Sequence, residues 1–319
     1  MKIQNDSTNP QHSNYLGKLI WQIYDSLYKY LRHGALRFMI KPLLWIKVEE
    51  HSLGYHINRA IRGFISKSLF KFSFRNENII HLKFGPILFI PAGYPEAYRF
   101  GGSYEPETTR LISNLLKPGN TFVDVGAHLG YYTLLAKMKV GDAGRVFAFE
   151  PDPRYFQAIM RSLELNGIRE GVYVYQMAVS DKISSLTFFT DNAGGLGNLF
   201  VPIIGGRSIT VDAVSLDEFF CKLGWPQIDL IKIDVEGAEE EVFIGMKELS
   251  HRNKSLRLIV EFSAKRRLGR DPHDFFTLLQ QIGTCRVFAI EKPQLHSAEE
   301  IIKYWERMGH LNLFCEIIY

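Results

Sequence analysis

The sequence predicts an α/β fold, a doubly wound and mainly parallel sheet with helices on both faces. Three observations point there. Short apolar runs alternate with amphipathic stretches from about residue 105 to the end. A glycine turn follows the first of these runs, at Val123-Asp-Val-Gly-Ala-His-Leu-Gly130. Acidic residues then close two later runs, Glu150 after Arg145–Phe149 and Asp234 after Asp229–Ile233.

The elements follow in order. Residues 1–14 are polar and read as a disordered start. Between Tyr15 and about Phe70, apolar and aromatic residues recur every three or four positions among basic ones, the pattern of a helical extension. Ile79–Leu82 and Ile87–Ile90 flank Gly85-Pro86 as a hairpin. Glu105–Leu116 reads as a helix stopped by Lys117-Pro118-Gly119. The alternation continues with strand 121–125, helix 131–139, strand 145–150, helix 153–166 and strand 172–177. Stretches 185–190 and 208–214 read as shorter strands or a hairpin arm. Then come strand 229–235, helix 238–249, strand 256–261, helix 274–282 and terminal strands 285–290 and 313–318. Two domains are expected, an extension over 1–75 and a catalytic domain over 76–319.

Charge is uneven along the chain. The first 75 residues hold 12 Lys/Arg against 4 Asp/Glu, and the other 244 hold 26 against 30. A basic, aromatic front suits either peripheral contact with an anionic membrane through residues 15–70 or helices packed on protein. Arg37, Lys41 and Pro42 interrupt its most apolar part, which excludes a membrane span of about 20 apolar residues. Cys221, Cys285 and Cys315 are odd in number and have no metal-ligand spacing. With no secretory signal in view, a cytoplasmic location is expected.

The chemistry is concentrated at strand ends, where doubly wound sheets bind ligands. Asp124-x-Gly126-x-x-x-Gly130 lacks the second close glycine of dinucleotide loops and places His128 where a diphosphate would press. An acid before the first glycine suits a cationic ligand. Glu150, 24 residues after Gly126, suits a pair of ribose hydroxyls. Ala178 and its neighbours offer an apolar edge for an adenine ring. Asp234 and Glu236 sit where a reacting group would lie, and Asp234, Glu236, Glu261 and His128 are the candidate general bases. A carboxylate cluster leaves Mg²⁺ as an alternative, although no metal is expected.

These residues resemble the FkbM family of S-adenosylmethionine-dependent methyltransferases. The likeness runs through Tyr104-Glu-Pro-Glu107, Phe122–Thr133, Ala148-Phe-Glu-Pro-Asp152, Ala178-Val-Ser-Asp181, Ser215-Leu-Asp217 and Leu230–Glu239. It implies a Rossmann-like seven-stranded class I methyltransferase sheet with its last strand antiparallel, and O-methylation of a sugar, glycolipid or natural-product hydroxyl. It also implies S-adenosyl-L-methionine as cofactor, held by Glu105, Asp124, Gly126, Ala127, His128, Gly130, Glu150, Pro151, Ala178, Val179 and Asp234. Asp234 and Glu236 are the implied catalytic residues. His128 departs from the asparagine frequent in the family, and residues 1–75 have no counterpart in its motifs. Other readings are a nicotinamide-dependent oxidoreductase, a nucleic-acid or protein methyltransferase, and a non-catalytic scaffold. The expected partner is a small-molecule or glycan acceptor, lipid-linked if the basic front meets a membrane, and no nucleic acid is expected. Lys265, Arg266, Arg267 and Arg270 read as a solvated loop or as a contact for an anionic acceptor.

Overall fold

A computed structural model describes residues 78–92, 94, 104–190, 197–203, 206–263 and 269–318. The expected extension over 1–75, and Lys265–Arg267 of the basic cluster, lie outside them. Among the described residues no helix is long and apolar enough to cross a membrane.

Strands β1 (Asn78–His81) and β2 (Ile87–Ile90) pair antiparallel as a hairpin. Helix α1 (Pro106–Leu115) leads to β3 (Thr121–Val125), whose five residues are all buried. Then follow α2 (Tyr131–Val140), β4 (Arg145–Phe149), α3 (Pro153–Leu165) and β5 (Val172–Tyr175). The chain next forms a small side sheet from β6 (Ala178–Val179), β7 (Ser184–Thr190) and β8 (Arg207–Val214), in the order β6-β8-β7. It returns through α4 (Leu216–Lys222), β9 (Leu230–Ile233), α5 (Glu239–Ile244), α6 (Lys247–Arg252) and β10 (Arg257–Ser263). Helix α7 (Pro272–Gln281), β11 (Thr284–Ala289), α8 (Ala298–Met308) and β12 (His310–Ile318) complete it.

The main sheet has seven strands in the order β11-β12-β10-β9-β3-β4-β5. β12 runs antiparallel to both its neighbours, and the registered pairs among β10, β9, β3, β4 and β5 are parallel. The expected sheet, with its last strand antiparallel, is therefore present. Strand order reverses between β3 and β9, which puts the ligand crevice beyond their carboxyl ends.

Alternation along each strand separates two cores. Val123, Val125, Ile231, Ile233 and Val260 face the layer holding Phe220, Phe243, Phe275 and Trp305. Phe122, Leu230 and Ile259 face α1–α3, with Ile112, Leu134 and Ile159. The hairpin lies on α3, where Asn166 brackets Ile87 by accepting its N–H (2.8 Å) and donating to its carbonyl (2.6 Å). Ser162 Oγ accepts the Phe89 N–H (2.9 Å). These side chains satisfy strand groups that a neighbouring strand would otherwise take.

The structure differs from expectation at four places. The strand expected to reach residue 177 ends at Tyr175, because Ala178 and Val179 pair with β8 instead. The single helix expected over 238–249 is two. Asp217 accepts the Leu249 and Glu248 N–H groups (2.7 and 3.1 Å), which starts a new helix after the break at Gly245-Met246. Gly245 is required at that break, since a Cβ there would lie 2.2 Å from the Ser180 carbonyl oxygen. Helices α4 and α8 were not expected. Each opens on Ser-x-x-Glu, with Ser215 or Ser297 accepting the N–H of Glu218 or Glu300 (3.2 Å each).

Candidate active site

A cleft of about 340 Å³ opens at the carboxyl ends of β3, β4, β9 and β10. Gly126, Ala127, His128, Glu150, Pro151, Ala178, Val179, Asp234, Glu236, Glu261 and Glu105 all reach its wall. Of the expected site residues, Asp124 and Gly130 do not line it. Asp124 is 1% exposed and accepts the Thr133 hydroxyl (2.6 Å) beneath the floor. Gly130 is required by packing, since its φ is +81° and a Cβ would meet Ile159 at 3.0 Å.

The loop after β3 is pinned to the end of β4. Gly126 and Ala127 both donate to the Phe149 carbonyl (3.0 Å each), and the His128 N–H donates to Glu150 Oε2 (2.7 Å). The other Glu150 oxygen accepts the Asp152 N–H (2.8 Å). Burial pushes Glu150 up to about 8 against these two donors. Each of its oxygens keeps a further acceptor position for a hydroxyl.

Three of the four described non-glycine residues with positive φ stand in this wall: Glu105 (38°), His128 (54°) and Glu236 (56°). Such conformations cost about 1–3 kcal/mol each and gather at functional sites. The His128 ring lies 4.2 Å from Tyr155 and 5.4 Å from Tyr94, between centroids. Burial lowers it to about 4, so it is a neutral imidazole at pH 7.

The opposite wall is a polar island on the α1–α3 side of the sheet. Lys232, 2% exposed, donates to Asp234 Oδ2 (2.6 Å) and lies 4.8 Å over the Tyr132 ring. The Tyr132 hydroxyl donates to Glu105 (2.6 Å), to which Asn312 also donates (3.2 Å). Burial would raise Asp234, yet the Lys232 ammonium holds it below the usual carboxylate range. Glu261 is raised well above that range by burial and by the charges of Asp234 and Glu236. Asp234, Glu236 and Glu261 bring ligand oxygens within 4.8 Å of one another, a spacing that could hold a divalent cation, but an ammonium already compensates Asp234.

Sequence reasoning did not single out Lys232, Tyr132 or Asn312. The available signal was a lysine inside the apolar run Leu230-Ile-Lys-Ile233. The one described member of the expected basic cluster, Arg270, pairs with Glu240 and Glu241 (2.6 and 2.5 Å) and packs over Phe200.

A family model described as the methyltransferase FkbM domain matches residues 124–308, more than half of the chain. The chain belongs to the FkbM methyltransferase family. Among its relatives, methyltransferase sdnD of Sordaria araneosa is 33% identical over 168 residues, 43% of this chain and 64% of that protein. The 2-O-methyltransferase NoeI of Sinorhizobium fredii is 28% identical over 155 residues, 44% of this chain and 62% of that one. The hexuronic acid methyltransferase AglP of Haloferax volcanii is 28% identical over 179 residues, 56% and 68%. The chain thus spans less than two thirds of the length of the first two. A putative rRNA methylase of Clostridium thermocellum, of known structure, aligns with a TM-score of 0.45 and 11% identity over 68% of this chain and 97% of that one.

Proposed function

We propose that this FkbM-family chain transfers the methyl group of S-adenosyl-L-methionine to a hydroxyl oxygen of a sugar or natural-product acceptor. The observation that carries the reading is the pairing of two differently tuned acids across one cleft. Glu150 is held by two backbone N–H groups and has acceptor positions left, which fits a ribose diol. Asp234 is kept ionised beside Lys232, which fits a cationic sulfonium and a proton-losing alcohol. Pro151, Met177, Ala178 and Val179 supply an apolar edge between them, suited to a purine.

The bound cofactor would supply an activated methyl group with a neutral thioether as leaving group. The chain's own residues do the rest. The loop Gly126–His128 and Glu150 fix the nucleoside, and the walls limit water. Asp234 receives the acceptor's proton, with Glu236 beside it. The name of NoeI, a 2-O-methyltransferase, supports transfer to oxygen, and that of AglP supports a hexuronic acid as the acceptor type.

The same reading assigns the basic segment 15–70 to peripheral membrane contact and a lipid-linked acceptor to the enzyme. Its charge asymmetry is the motive. The full chain should then co-sediment with anionic vesicles at moderate salt, and failure to do so removes this part. The main test incubates purified protein with methyl-labelled S-adenosylmethionine and fractionated cell extract, then identifies labelled products by mass spectrometry. Label on a hydroxyl oxygen, lost in Asp234→Asn, is the expected result. Calorimetry showing no S-adenosylmethionine or S-adenosylhomocysteine binding overturns the reading.

A further inference from the structure

We propose that Lys232 is a positioning residue which makes Asp234, and not Glu261, the charged member of a carboxyl pair and so the acceptor of the substrate proton. The inference rests on the methyl-transfer reading above and names the device that sets its base.

Register brings the groups together. Asp124 on β3 lies beside Lys232 on β9, and Ile259 on β10 lies on its other side. Ile233 pairs with Val260, so the next residues, Asp234 and Glu261, meet where the strands end. Glu261 in turn faces Asn312 on β12. Two partly buried carboxyls whose oxygens lie within 4.8 Å of one another cannot both be charged cheaply; one of them keeps a proton. An ammonium placed beside only one of the two carboxyls decides which of them gives up that proton. Lys232 Nζ is 2.6 Å from Asp234 Oδ2, whereas Glu261 Oε2 is buried with no hydrogen-bond partner.

Other groups face this pair from every side. Asp124 comes from β3, His128 from the loop after it, Glu105 from the start of α1 and Tyr132 from α2. Glu236 and Glu239 come from the segment after β9. His128 is neutral, so Lys232 is the one buried cation among these groups. Tyr132 holds it from above through its ring, and Glu105 holds the Tyr132 hydroxyl, so the ammonium has little freedom to turn toward Glu261.

During transfer the acceptor oxygen bonds to the methyl carbon as the carbon–sulfur bond returns its electron pair to sulfur. The hydroxyl proton passes to Asp234, which becomes neutral. Glu261 keeps its own proton throughout, so no second negative charge is left beside the product.

The test titrates carboxyl carbons by ¹³C NMR in protein labelled at Asp and Glu, without cofactor or acceptor, in Lys232→Met, Lys232→Arg and Glu261→Gln. The Asp234 signal is assigned by its loss in Asp234→Asn. Lys232→Met should raise the Asp234 titration by about 1–3 pH units, the usual effect of an adjacent opposite charge. Lys232→Arg should restore most of it, and the pH midpoint of kcat should follow while S-adenosylhomocysteine affinity stays within about threefold. An unmoved Asp234 signal in Lys232→Met overturns the proposal. If Lys232→Met does not fold, Glu261→Gln decides alone. It should leave the Asp234 titration in place, because it replaces an already neutral acid, and a shift beyond about one unit overturns the proposal. Because the NMR arm needs no turnover, absence of any methyl transfer would sink the function and leave the Lys232 result to be judged separately.

Discussion

Replacing Glu150 by Gln should flatten the pH dependence of nucleoside binding in this cleft. Two backbone N–H groups already donate to Glu150, so two ribose hydroxyls can add to it well only when the carboxylate carries no proton of its own. Burial pushes that carboxyl up to about 8. A group with such a value is ionised to roughly 1% at pH 6 and about half at pH 8, so affinity can rise by up to ~50-fold over that interval. The sign for the free protein is opposite. An acid whose folded value lies above its ordinary 4.5 binds protons more tightly when folded, so stability falls as pH rises from about 4.5 to 8, by up to a few kcal/mol. Isothermal titration with S-adenosylhomocysteine from pH 6 to 9 reads the first effect, and urea unfolding of the free protein over pH 4.5–8 reads the second. Glu150→Gln should remove the binding slope and reduce the stability slope. Part of the stability slope should survive, because Asp124, raised to about 6 by burial, and Glu261, raised well above the usual carboxylate range, still titrate. A wild-type affinity that is level from pH 6 to 8, or a Glu150→Gln variant with an unchanged slope, would refute the reasoning.

Substitutions at three further positions test the scaffold around the site. Gly126→Ala places a Cβ 1.9 Å from the Asp234 carbonyl oxygen at a φ of +80°, so it should cost at least ~2 kcal/mol and weaken S-adenosylhomocysteine binding tenfold or more; wild-type values in unfolding and calorimetry would refute it. Asp217→Ala removes the acceptor for two N–H groups of α6 and should lower stability by about 1–2 kcal/mol, while Asp217→Asn loses less. Denaturant midpoints distinguish the two, and equal losses would show that the cap is not the cause. Asn166→Ala should cost about 1–3 kcal/mol and speed amide exchange at residues 78–90 while leaving β3 and β9 protected; uniform exchange across the sheet would contradict the hairpin's separate anchoring.

The parts of the fold legible in the sequence were those where one residue type has one physical use. Apolar runs such as Leu230–Ile233 must be buried on both faces, and the glycine turns after β3 mark where the backbone folds back. Loop Val123–Gly130 was legible for that reason, and so was Glu150 at the end of β4. The two helices that escaped notice, α4 and α8, carried their signal in Ser215-x-x-Glu218 and Ser297-x-x-Glu300 and not in apolar periodicity. The break within the 238–249 stretch had one local signal, Gly245, which alone does not separate two helices. It is imposed by Asp217, about 30 residues away in sequence, whose carboxylate competes for the same N–H groups.

Within the site, the sequence marked which residues stand at strand ends but not which face they share. That depends on register between strands distant in the chain, and register follows from packing. Asp124, Lys232 and Asn312 each look like polar intrusions in apolar runs, and each would be costly to bury alone. Alternation puts all three, with Glu261, on the α1–α3 side of the sheet, where their neighbours in sequence face the other core. One buried lysine is tolerable there because Asp234 is 2.6 Å away and Asp124 is its cross-strand neighbour. The acids depend on it in return, since burial alone would protonate Asp234 as it does Glu261. The charge held at Asp234 is therefore a property of the registered strands β3, β9 and β10 together. No single motif carries it, which is why Asp-Val-Glu-Gly could be recognised while the lysine two residues before it was passed over.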